Sequence, residues 1–95
     1  MLGMSLQLQD CEVCGIEVVC GITKEEIVET LLEVLEELGV RFRFFRNLFE
    51  TEKGSIIIED CGKSRLGIQL YRIVFPDEII MRKFRERLMS KRAGG

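Results

Sequence analysis

The chain has no histidine and no tryptophan, and in 95 residues it has one proline, one tyrosine and one asparagine, Asn47. The missing histidine removes the commonest general base and the commonest metal ligand together. A cysteine nucleophile would lack its usual activating partner, so no catalytic residue is assigned. No apolar run approaches the ~20 residues that a bilayer span requires. Met1–Gln9 has neither the basic leader nor the apolar core of a signal peptide. The sequence therefore predicts a cytoplasmic protein with no membrane association. Scarce asparagine beside abundant Glu, Lys and Arg gives a thermophile-like composition.

Hydrophobic residues make up 46% of the chain and charged residues 32%. That is enough apolar material to offset chain entropy, so the chain is expected to fold rather than remain disordered. A chain of this length fits one domain over residues 1–95, burying roughly 60–65% of its unfolded surface.

Leu6–Cys20 reads as a first strand, rich in β-branched residues, with Gly15 marking a bulge or bend. Thr23 opens a helix. Thr23 with Glu26 three residues later is a capping box, and Ile27, Val28, Leu31, Leu32, Val34, Leu35 and Leu38 recur at helical spacing. Gly39 ends the helix as a left-handed cap. Val40–Glu50 reads as one strand, Val40, Phe42 and Phe44 alternating with Arg41 and Arg43. Thr51–Gly54 is a turn whose glycine supplies positive φ. Ser55–Glu59 is a third strand, apolar on both sides at Ile56, Ile57 and Ile58, which points to the centre of a sheet. Gly62–Gly67 is a hairpin loop and Leu66–Phe75 a fourth strand, stopped by Pro76. Asp77 is the N-cap of a last helix with Ile80, Met81, Phe84 and Leu88 on one stripe. The tail from Ser90 to Gly95 is expected to fray.

The order β-α-β-β-β-α gives an α+β two-layer sandwich. A mainly antiparallel four-stranded sheet carries both helices on one face. Two helices cover one face only. Phe45, Phe49, Ile57 and Ile73 are candidates for the other, which predicts self-association, most simply as a two-fold homodimer.

Cys11, Cys14, Cys20 and Cys61 are the one constellation with metal chemistry in it. Cys11-Glu12-Val13-Cys14-Gly15 has the spacing of a zinc knuckle, and Cys20 and Cys61 would complete four thiolates around zinc if the first and third strands meet. Against that, a regular strand points Cys11 and Cys14 to opposite faces, and free cysteine is commonly a small core residue. Packing is the favoured reading, with no cofactor. Gly62-Lys63-Ser64 ends like a phosphate-binding loop, but that motif requires glycine where Ile57 stands and a helix afterwards.

Charge is unevenly distributed. Up to Val40 nine acids face Lys24 alone; from Arg41 onward thirteen bases face seven acids. Arg82, Lys83, Arg85 and Arg87 on the last helix, with Arg41, Arg43 and Arg46 among phenylalanines, form a candidate nucleic-acid surface. The competing readings are helix-dipole stabilisation by the last-helix bases and pairing of Arg41, Arg43 and Arg46 with glutamates of the first helix or a partner. A pI of 5.2 weighs against nucleic acid. The sequence thus favours a non-catalytic interaction protein working as a homo-oligomer, with a nucleic-acid-binding module or a zinc-stabilised domain as alternatives.

Overall fold

In the computed structural model the described residues are 15–94, with side chains described over 15–92. Strand β1 (Gly15–Cys20) leads into helix α1 (Lys24–Leu38), which carries the chain to the opposite sheet edge. There β2 (Phe42–Phe45), β3 (Leu48–Thr51), β4 (Gly54–Lys63) and β5 (Gln69–Phe75) run back as a meander, and helix α2 (Glu78–Gly94) follows. The sheet order is β1-β5-β4-β3-β2 and every neighbouring pair is antiparallel. This is the expected α+β architecture with five strands instead of four.

The extra strand comes from a turn inside the segment read as continuous. Arg46 sits in the left-handed region at φ 58, and Arg46-Asn47 reverse the chain so that Phe45 faces Leu48. The Phe-Arg alternation runs from Arg41 to Phe44 and breaks only at Phe45, directly before that turn, so little in the sequence announces it. The other boundaries also shift. β4 extends to Lys63 through an irregularity between Asp60 and Lys63, and β5 begins at Gln69. Residues 6–14 of the expected first strand lie outside the described residues. Gly15 is no bulge; it pairs in register with Phe75. A Cβ on it would collide with the thioether of Met81, so its part is to let α2 approach.

Both helix starts obey their capping chemistry. Thr23 Oγ1 accepts from the Glu26 amide at 3.1 Å, and Asp77 Oδ1 accepts from the Ile79 amide at 2.7 Å. Gly39 closes α1 at φ 68, its N–H donating to the Glu36 carbonyl while Val40 N–H donates to that of Leu35. Helix α2 continues past Ser90 to Gly94. Lys91 reaches back to Glu33 and to Thr30 Oγ1, both at 3.1 Å, and ties that turn to α1.

The core lies between the helices and one sheet face. Ile27, Leu31, Val34 and Leu35 of α1 and Ile80, Phe84 and Leu88 of α2 pack on Phe49, Ile56, Ile58, Ile73 and Phe75. Fully burying each such side chain stabilises the fold by about 1.5–3 kcal/mol before chain entropy is set against it. β4 is the central strand, as its three isoleucines suggest. Ile56 and Ile58 point into the core and Ile57 points away.

Candidate functional site

The face of the sheet away from the helices carries an apolar row that crosses all five strands. Ile16 pairs with Val74, Val74 with Ile57, Ile57 with Leu48 and Leu48 with Phe45. Phe45 is 64% exposed and Ile16 51%. Polar rows flank it. On one side Arg72 and Glu59 form an ion pair at 2.6 Å, beside Val18; on the other Arg43 lies opposite Glu50. The Glu59 carboxylate raises the Arg72 pKa by hydrogen bonding and charge.

Of the four residues expected on this face, Phe45 and Ile57 are there; Phe49 and Ile73 are in the core. The turn at Arg46-Asn47 explains the first error. In one continuous strand Phe45 and Phe49 share a face, but pairing Phe45 with Leu48 puts Phe49 on the other. Ile73 is placed by register, since it pairs with Ile58 while Val74 pairs with Ile57.

β1 inverts the usual amphipathic pattern. Its charged residue, Glu17, turns to the helix side and pairs with Arg85 of α2. Ile16 and Val18 turn to solvent. The one cue in the sequence is the period-two alternation of Ile16 and Val18 around Glu17, and it carries no sign; the register that sets Glu17 opposite the core residue Ile73 fixes which side is inward, and Arg85 meets the carboxylate there.

The candidate nucleic-acid residues separate into two groups. Those of α2 are neutralised within the chain. Arg82 pairs with Glu78, Lys83 and Arg87 with Glu37, Arg87 also with Glu33, and Arg85 with Glu17, whose hydrogen bond and charge raise the Arg85 pKa. The acidic half of the sequence thus docks on its basic half. Arg41, Arg43 and Arg46 have no ion pair among the described residues. Among the described residues no α1 glutamate pairs with them, and Phe42 and Phe44 beside them are exposed. β2 is an edge strand and all four of its residues are exposed. Phe44 and Phe42 lean on Phe49, with ring centroids 4.4 and 5.7 Å apart, and the Arg46 guanidinium stands 5.2 Å over the Phe45 ring. Between β2 and α1 lies a cleft of about 560 Å³ lined by Val28, Leu32, Phe44 and Arg46 with Lys24, Glu25 and Glu29.

Cys20 and Cys61 are exposed free thiols, so neither fills the core. The strands bearing them do not meet, because β5 runs between β1 and β4. Strand axes two places apart are separated by about 10 Å. Cys11 and Cys14 lie outside the described residues. Among the described residues no three His, Cys, Asp or Glu side chains gather as metal ligands. Gly62-Lys63-Ser64 sits at a hairpin end with a strand after it. There the Asp60 carboxylate accepts from the Gly62 amide at 2.8 Å and from Gln69 Nε2 at 2.7 Å. The Gly62 bond first, and Gln69 second, lower its pKa. No helix among the described residues is long and apolar enough to cross a membrane.

Comparison of the chain with protein-family models, with curated proteins and with solved structures gave no match.

Proposed function

We propose that the chain is a cytoplasmic, non-catalytic interaction protein that acts as a homodimer, two copies packing open sheet face against open sheet face. The five-strand row Ile16–Val74–Ile57–Leu48–Phe45 carries this reading, since a contiguous apolar strip with polar flanks has the anatomy of an interface. The row suits a two-fold axis along β4. Ile57 then meets its own copy, Val74 meets Leu48, and the small Ile16 meets the large Phe45. Aligned sheets pack in this way at about 10 Å. Ile57→Glu places a charge on the axis, opposite its own image. This variant should sediment as a monomer while keeping its helical circular dichroism; a variant that remains dimeric refutes the open face as the interface.

A second reading rests on β2. Among the described residues Arg41, Arg43 and Arg46 have no ion pair, and they flank exposed rings, the combination that holds single-stranded nucleic acid by phosphate contact and base stacking. Binding to a labelled oligothymidylate at low salt, abolished by Arg43→Glu with Arg46→Glu and untouched by Arg82→Glu, supports it. No binding at low salt ends it.

A further inference from the structure

The free edge of the sheet at β2 is a second place where copies of this chain can join, independent of the open face. The Ile58 amide donates to the Asn47 carbonyl at 2.9 Å, so the backbone groups of Asn47 and Phe49 point to β4 and those of Leu48 and Glu50 point to β2. Their partners Phe45 and Arg43 point inward in turn. The N–H and C=O groups of Phe42 and Phe44 therefore face outward, and among the described residues neither proline, bulge nor covering loop shields them. Arginine is the one guard on this edge.

We infer that β2 pairs antiparallel with β2 of a second copy, about a two-fold axis at Phe44 and normal to the sheet. Antiparallel symmetry requires that outward groups meet outward groups. Registers centred on Phe42 or Arg43 set arginine against arginine. Centring on Phe44 sets Phe44 against Phe44, Arg43 against Phe45 and Arg46 against Phe42, so each guanidinium lies beside a ring. The ring of Phe42 shares its hollow with Glu36, and the incoming Arg46 meets that carboxylate. The two sheets become one of ten strands with all four helices on the same side. Four residues a side make this the weaker of the two contacts, so it joins chains at millimolar rather than micromolar concentration.

Amide exchange followed by NMR in the Ile57→Glu variant tests this with the open-face contact disabled. Edge pairing predicts that the Phe42 and Phe44 amides, unprotected at micromolar concentration, slow by about two orders of magnitude at millimolar concentration. In Phe44→Pro with Ile57→Glu the Phe42 amide should lose that protection while the β4 amides keep theirs. Phe44 exchange that does not change with concentration overturns the inference. So does protection that arises only on adding oligothymidylate, which would assign the strand to nucleic acid. Failure of Ile57→Glu to dissociate the micromolar dimer would overturn the open-face reading and leave this test, read at Phe42 and Phe44, still decisive.

Discussion

Gly54 at the start of β4 packs directly against the ring of Pro76 at the end of β5. A Cβ on Gly54 would stand 2.5 Å from the Pro76 Cβ, and Gly54 also has φ 130, a conformation that side chains rarely adopt. The rigid ring cannot step aside. Gly54→Ala should therefore destabilise the fold by about 1–3 kcal/mol, combining backbone strain with overpacking. Chemical denaturation of Gly54→Ala alone and with Pro76→Gly, which removes the Cβ in the way, checks this. The second change should recover the packing share and leave the strain.

Glu37 is shared by Lys83 and Arg87, and Glu33 by Arg87 and Lys91, so the two helices are stitched by a ladder of exposed ion pairs. Exposed pairs are worth little singly, about 0.2–1 kcal/mol, and are screened by salt. Glu37→Gln should lower the melting temperature modestly at low salt and leave it nearly unchanged at high salt. An equal drop at both would mean that Glu37 acts by packing.

The Asp60 carboxylate titrates below its ordinary value of 3.8 because Gly62 and Gln69 donate to it. A lowered carboxyl contributes stability that is fully present above the unfolded value. That stability is lost as pH falls through the folded value. The β4–β5 hairpin end should thus loosen only below pH 3.8. Asp60→Asn should remove that acid step while the Gly62 amide keeps a weaker acceptor. The Gly62 amide shift against pH reads both; a step near neutral pH would contradict the assignment.

Because β5 separates Cys20 from Cys61, a chelator should leave the melting curve unchanged. A clear drop in melting temperature would mean that a bound metal stabilises the fold.

Much of the fold is legible in the residues. Thr23, Gly39 and Asp77 mark helix ends by local hydrogen-bonding chemistry, and the triple isoleucine marks the central strand. What escapes is non-local. The Arg46-Asn47 turn carries its positive φ on an arginine, where no glycine announces it, and that one reversal moves Phe49 to the core and leaves Phe42 and Phe44 at an edge. Likewise nothing local marks Glu17 as inward-facing; its register opposite Ile73 and its partner Arg85, 68 positions away, do. An open face follows from the helix count, since two helices cannot cover two faces, but only register decides that Ile16, Val74 and Leu48 compose it.

Sedimentation equilibrium of the unmodified chain at micromolar concentration tests the central claim most directly. The open-face homodimer predicts twice the 11.0 kDa chain mass, falling to a single chain in Ile57→Glu. A wild-type chain that sediments as a monomer would contradict it.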